Sequence, residues 1–565
     1  MTVGSSGPMD ARILVVGEAP GVDEERLGGP FVGMSGQLLD RMLADAGISR
    51  ASVRVTNVCR ERPPGNRIEL WFPATKGAQH DAAALGWPTL RGRVVHPHIE
   101  RGYKLLVAEV EAVRPTVILA LGNTALWALT GLDSVAKWRG STLETDHGLV
   151  LPTYHPAGVL RQWTLKPIVV QDMRRAASAL QRFPHKPKWS FQVRPSMSEV
   201  RGTLDRLYHE AEAGALKLAC DIETRAGHIA CIGVAWSTHE ALCIPLLCVE
   251  RPEGYWDEAE ESEIVWLLYR LLTHPNVLCV GQNFIYDAQY ILRHWHWVPA
   301  RVRDTMVAQH VCFPSGGTPL DKKGKAKKSS SGMPKSLDFI ASMYCEYYVY
   351  WKDDGKEWDT GGDQDEDKYW AYNCEDCIRT FEADTVLQEV VDRMGLRGPH
   401  DFQQSLFKPV LRTMVRGVRI DNERRKAMLK ELKDHARVLE AEIAEMVGYH
   451  LNPKSPKQMQ KFFYEEVGLA PVIKRGTKKV SCDDEALDKL ASKEPIVRPI
   501  VTRIKEFRSC ETLASNALKA DAIGWDGRVH CSYNVTGTIT FRFSSSTDAF
   551  GSGMNLQNIT SGEEE

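Results

Sequence analysis

The sequence predicts a multidomain α/β protein that passes into a largely helical third region and then into the start of a further one. At 565 residues the chain has room for three or four domains of roughly 100–200 residues each. Two separate sets of short apolar, strand-length runs alternate with helical periodicity. From residue 421 onward helical spacing dominates.

The first α/β layer, residues 1–185, carries strand patterns at 12–16 (RILVV), 116–121 (TVILAL) and 149–153 (LVLPT), with helical patterns between them. It ends near the Pro- and Lys-rich FPHKPKWSF at 183–191. The second layer, residues 195–395, opens on KLACDIET at 217–224 and continues through IACIGVAWS at 229–237 as a hairpin-like pair, then turns helical from about 260. Its inserts at 315–336 (Gly/Ser/Lys-rich) and 353–368 (acidic) have the composition of mobile loops. In the third region, residues 400–540, Met428, Leu432, Leu439, Ile443 and Met446 mark one apolar helix face. Residues 541–565 form a short final segment, and no internal repeat is present.

Composition excludes several classes. Apolar residues make up 43% of the chain, yet no run approaches the ~20 needed to cross a bilayer, and the first residues lack a charged-then-apolar signal. The expectation is a cytoplasmic protein without membrane contact. The 13 scattered cysteines suit reduced, buried thiols. Cys374 and Cys377 have C-x-x-C spacing but no second pair, and they bracket Asp376; zinc or redox chemistry is the alternative there. A net charge of -2 argues against a histone-like binder while leaving room for local basic patches.

Asp221 and Glu223 lie two apart on a strand, so both side chains leave one face and can converge on a cation. In GQNFIYDAQYI, Asn283 and Asp287 are four apart, one turn if that segment is helical; Tyr372 and Asp376 in YNCEDC repeat the relation. Four carboxylates brought together repel one another unless cations neutralise them. These residues resemble the three exonuclease motifs of the Tyr-type DEDD superfamily, as found in family A DNA polymerases. The resemblance implies an RNase H-like fold and two Mg²⁺ (or Mn²⁺) ions. Asp221, Glu223 and Asp376 would hold the first ion and Asp221 and Asp287 help place the second, with Tyr372 orienting water. A ribonuclease of the RNase D type carries the same residues, so the constellation gives the chemistry and not the nucleic acid.

FKPVLRTMVRGVRID at 407–421 and NPKSPKQMQKFFYEEVGL at 452–469 resemble the thumb of family A polymerases. Lys454, Ser455, Lys457 and Gln458 are suited to phosphate contacts, and the basic run Lys474, Arg475, Lys478 and Lys479 is either a thumb tip or a solvated loop. TITFRFSSS at 538–546 and NLQNI at 555–559 resemble family segments beside the primer-template near the palm, which adds Arg542, Asn555 and Gln557 to the DNA-binding candidates. Phe541 stands where the family has Gly. After Ile559 only TSGEEE follows, so polymerase palm and finger motifs are expected to be absent; they are lost, omitted or supplied by a separate chain.

GEAPGVDEE at 17–25, GGPFVGMSGQLLDRML at 28–43, VTNVCRERPPGNR at 55–67 and LPTYHPAGVLR at 151–161 resemble the family 4 uracil-DNA glycosylases. By that resemblance Phe31 stacks on an extruded base, Asn57 reads its edge, His155 stabilises the leaving anion, and Glu18 and Glu24 act on water or sugar. That family holds an iron-sulfur cluster on four cysteines; here Glu61 replaces the Cys before RPP and none occurs near residue 98, so the cluster is expected to be absent. Base excision, DNA binding without catalysis and a bare scaffold all stay open. Glycosylase-like domains ahead of such polymerases occur in some bacteriophages. The expected partners are DNA primer-template and single-stranded 3′ ends, and the expected activity is proofreading 3′-5′ exonuclease.

Overall fold

The computed structural model describes residues 2–251, 253–315, 333–355, 365–474, 479–516 and 522–558. Most of both inserts, with Arg475, Lys478 and Ile559, lies outside the described residues. The chain divides into two compact units: residues 1–407 with 536–542, and residues 408–535 with 543–565.

The first unit opens with a sheet of β1 (Ile13–Gly17), β2 (Val53–Asn57), β3 (Val117–Leu121), β4 (Leu143–Thr145) and β5 (Gly148–Thr153), in the order β2-β1-β3-β5-β4. β1 and β3 are buried at every residue, as expected of central parallel strands covered on both faces. Helices α1 (Met34–Asp45), α2 (Pro97–Val113), α3 (Gly122–Thr130), α4 (Val135–Trp138), α5 (Pro156–Arg161) and α6 (Lys166–Ala179) connect them. Leu39, Met42 and Met173 fill the core on one face of the sheet, and Ile99, Leu106 and Trp127 fill it on the other. Loops at the carboxyl ends of such strands are where ligands bind in open α/β sheets.

A second sheet follows, built from β6 (Ser190–Gln192), β7 (Leu216–Arg225), β8 (His228–Ala235), β9 (Glu240–Pro245), β10 (Val277–Gly281) and β11 (Val302–Asp304). Its order is β11-β10-β7-β8-β9-β6, with β7, β8 and β9 antiparallel and β10 parallel to β7. The expected hairpin is therefore β7–β8. Helices α7 (Met197–Ala213), α8 (Glu258–Leu272), α9 (Ile285–Trp295), α10 (Thr305–Cys312), α11 (Leu337–Tyr344) and α12 (Glu366–Arg393) complete this layer. The 28-residue α12 crosses the sheet so closely at Gly233 that a Cβ there would meet Asn373 Oδ1 at 2.4 Å and Cys377 Sγ at 2.6 Å. Cys374 and Cys377 lie inside α12 and pack with Cys231 and Ala219 in an apolar core, so they behave as small hydrophobes.

In the second unit α13 (Asn422–Val447), α14 (Pro456–Gln460), α15 (Asp484–Lys493) and α16 (Arg498–Asn516) surround Leu439, Ile443, Phe463 and Ile504. The predicted apolar face of α13 is only partly correct. Met428 and Met446 are 40% and 51% exposed, whereas Ala436, Leu439 and Ile443 are buried. Long unbranched Met side chains tolerate such partial exposure, and the buried contact is confined to the middle of the helix.

Candidate metal centre and base pocket

β7 places Asp221 and Glu223 on one face, and α12 brings Asp376 over the same spot. One ligand atom from each of the three lies within 4.8 Å of the others, and no other such His/Cys/Asp/Glu group occurs among the described residues. Burial first, then the neighbouring Asp376 carboxylate, pushes the Asp221 carboxyl up to about 7. Burial and the same neighbours raise Glu223 well above the ordinary range. Asn373 Nδ2 donates to Asp221 Oδ2 at 3.0 Å, while its buried Oδ1 has no hydrogen-bond partner. Desolvated, mutually repelling carboxylate oxygens that converge on one point fit a hard divalent cation.

Asp287 is 4% exposed and does not join that group of three. Its Oδ1 accepts from the Ile222 amide at 2.9 Å, which ties α9 to the strand between the other two acids. The helical-turn reading of Asn283 needs correction. Asn283 lies ahead of α9 with φ 55, and its amide donates to Asp304 Oδ1 at 3.0 Å. Asp304 also accepts from the Phe284 amide at 2.8 Å, so this carboxylate shapes the loop and prevents the helix from starting at Asn283. Tyr372 and Asp376 do share α12.

Sequence reasoning missed two residues at this centre. Trp351 Nε1 donates to Asp376 Oδ1 at 2.6 Å, and Lys352 Nζ donates to Tyr372 Oη at 2.9 Å and pairs with Asp376. Burial opposes the Lys352 charge, but the Asp376, Asp221 and Glu223 carboxylates outweigh it and hold its pKa above the usual value. The WKDD run that carries them sits at the edge of an acidic insert and has no period to set it apart.

A cavity of about 530 Å³ opens beside the first sheet, lined by Glu18, Glu24, Phe31, Asn57 and His155 among others. All five predicted residues thus share one pocket. Gly17 permits this, since a Cβ there would strike Asn57 Oδ1 and the Phe31 ring. Phe31 and His155 rings lie 5.7 Å apart, and His155 Nδ1 caps α5 by accepting from Ala157 N–H at 3.1 Å. Burial, with Arg161 nearby, lowers His155 to about 4, which keeps it neutral. Glu24 bridges the Gly21 and Gly33 amides, and Glu18, raised by burial, accepts from Thr124 Oγ1 at 2.5 Å. The donor set does not fit a four-cysteine iron-sulfur cluster: Cys59 is the one cysteine before Cys220, and Glu61 pairs with His98 at 2.6 Å.

In the second unit Ser455 caps α14 and Gln458 Oε1 accepts from the Asn452 amide. Lys454 pairs with Glu511 beside a groove of about 550 Å³, and Lys457 is exposed. Asn555 Oδ1 accepts from Ser545 Oγ, and Gln557 Nε2 donates to the Phe543 carbonyl at 2.7 Å. Arg542 is exposed in the first unit, next to Phe541 at φ 61, a left-handed conformation that suits glycine.

Residues 4–178 match the uracil DNA glycosylase superfamily, residues 198–392 match a 3′-5′ exonuclease family, and residues 422–565 match DNA polymerase family A. Through its first domain the chain belongs to the type-4 uracil-DNA glycosylases, and the segments that follow are similar to the exonuclease and polymerase portions of family A DNA polymerases. The type-4 uracil-DNA glycosylase of Thermotoga maritima is 35% identical over 181 residues, 31% of this chain and 81% of that protein. The DNA polymerase of Bacillus phage SP01 is 23% identical across 95% of this chain and 62% of that protein. DNA polymerase I of Synechocystis sp. is 26% identical over 65% of this chain and 36% of its own length. The chain therefore spans less than two thirds of either polymerase. No helix among the described residues is long and apolar enough to cross a membrane.

Proposed function

We propose that this chain hydrolyses the 3′-terminal phosphodiester of DNA, releasing nucleoside monophosphates from mispaired primer ends. The observation that carries the reading is the desolvated Asp221–Glu223–Asp376 group. Asp221, Glu223 and Asp376 would hold one Mg²⁺ or Mn²⁺, and Asp221 and Asp287 a second. When bound, such ions would supply an activated water and charge stabilisation for the leaving 3′ oxygen. Tyr372 stays protonated, because burial and the nearby carboxylates raise its pKa far above neutrality. Its hydroxyl orients water as a hydrogen-bond partner and does not take its proton. Asn283, in the loop that precedes Asp287, flanks the substrate path. DNA is favoured over RNA by the polymerase-family segment, on which Lys454, Ser455, Lys457, Gln458, Asn555 and Gln557, together with Arg542, contact primer-template. The setting is the cytoplasm.

The test is a 5′-labelled primer-template with a 3′ mismatch, incubated with Mg²⁺ or chelator beside Asp221→Ala. Shortening that needs both the metal and Asp221 supports the proposal. Intact primers on mismatched and single-stranded ends alike overturn it.

A second activity is favoured by the convergence of Phe31, Asn57 and His155 in one pocket. Phe31 stacks on an extruded uracil, Asn57 reads its edge, and neutral His155 donates to the departing anion. Uracil-bearing single-stranded DNA should acquire alkali-labile sites with the wild type and not with His155→Ala. Absence of such sites with the wild type would leave the pocket a binding platform.

A further inference from the structure

Both donors to Asp376 come from one irregular stretch, residues 345–354, between α11 and α12. Its backbone polar groups need partners once covered. α12 supplies two, as Arg379 donates to the Tyr347 carbonyl and Glu382 Oε1 accepts from the Glu346 amide at 2.7 Å. Many of the rest come from the glycosylase-fold domain, about 200 residues earlier in the chain. From α6, Arg175 donates to the carbonyls of Ser342, Cys345 and Glu346, each at 2.9 Å. Between α4 and β4, the Thr142 amide donates to the Tyr348 carbonyl at 2.9 Å, and buried Ser141 Oγ accepts from the Tyr350 amide at 3.2 Å. Lys137 of α4 pairs with Asp353, and its ammonium lies 4.9 Å from the centre of the Tyr350 ring. Trp351 and Lys352 are thus fixed on both sides, at Tyr350 and at Asp353, by another domain.

We propose that the glycosylase-fold domain is a positioning element of the exonuclease centre, holding residues 345–354 so that Trp351 and Lys352 orient Asp376 and Tyr372. This rests on the exonuclease reading above. The domain acts through the segment and touches no reacting atom. Donors that orient a ligating carboxylate set its metal affinity, and loosening the segment lets the Asp376 carboxylate rotate.

The experiment measures Mn²⁺ binding calorimetrically without DNA, and in parallel the Mg²⁺ concentration for half-maximal 3′ shortening. The proteins are wild type, Asp221→Ala, Arg175→Ala, Arg175→Lys, Trp351→Phe and the double variant Arg175→Ala/Trp351→Phe. Arg175→Ala and Trp351→Phe should each weaken Asp221-dependent Mn²⁺ binding roughly tenfold, with Arg175→Lys in between. The double variant should be no weaker than the worse single one, since both act through the same carboxylate. Should Arg175→Ala not fold, Ser141→Ala removes one acceptor and no charge, with an expected loss of roughly threefold. Brace variants within about twofold of wild type, or losses that multiply in the double variant, overturn the inference while wild-type activity leaves the exonuclease reading standing. A wild type that neither binds Mn²⁺ through Asp221 nor shortens DNA overturns both.

Discussion

His310 has both ring nitrogens committed: Nε2 donates to the Thr538 carbonyl at 3.0 Å, and Nδ1 accepts from the Ser315 amide at 3.3 Å. Burial, with Lys335 close by, lowers its pKa to about 4 against the ordinary 6.5. The unfolded chain therefore takes up the proton first. The stability that neutral His310 contributes is complete above about pH 6.5 and is lost as pH falls toward 4. His310→Gln should lower the unfolding midpoint at pH 7.5 and show a smaller further drop at pH 5, read by thermal melts at the two values. Asp172 makes a different case. It is fully buried, accepts from Arg139 Nε at 3.0 Å and from Thr153 Oγ1 at 2.6 Å, and is the counter-charge of a guanidinium with 3% exposure. Asp172→Ala strands that charge, and denaturant unfolding should show a loss of about 3–5 kcal/mol.

At the scale of elements, the seat of α12 on the second sheet depends on Gly233. Gly233→Ala would thrust a methyl into Asn373, one turn before Asp376, and into Cys377, the residue that follows it. Overpacking of this kind costs about 1–3 kcal/mol, and the displaced helix should carry Asp376 away from Asp221 and Glu223. The expected result is weaker Mn²⁺ binding together with a lower melting temperature. On α13 the buried and exposed apolar residues make opposite predictions. Ile443→Ala should cost about 2–5 kcal/mol, whereas Met428→Ala should stay within about 0.5 kcal/mol, both read from denaturant midpoints. Periodicity alone put the two residues on one stripe. Its period tells which side chains share a face but not how far the partner helix extends along it.

Across the whole molecule, the two proposed activities draw on different chemistry and should separate under chelation. A chelator should abolish 3′ shortening and leave alkali-labile sites at uracil, because the base pocket relies on Phe31, Asn57 and His155 and holds no group of converging metal ligands. Much of this was legible beforehand. The alternation of a strand placed Asp221 and Glu223 on one side, a helical turn linked Tyr372 to Asp376, and continuous apolar runs marked β1 and β3. The loop conformation of Asn283 was not, because a carboxylate from Asp304 decides where α9 begins. Nor was the partnership of Trp351 and Lys352 with Asp376, in a run that has no periodicity of its own. The sequence by itself determined the chemical groups and the faces on which they stand, since local backbone geometry sets which side chains point together. Only the tertiary structure decided that residues 137–142 and 175 hold the segment against Asp376, because hydrogen bonds between carbonyls and side chains some 200 positions apart leave no mark on local pattern.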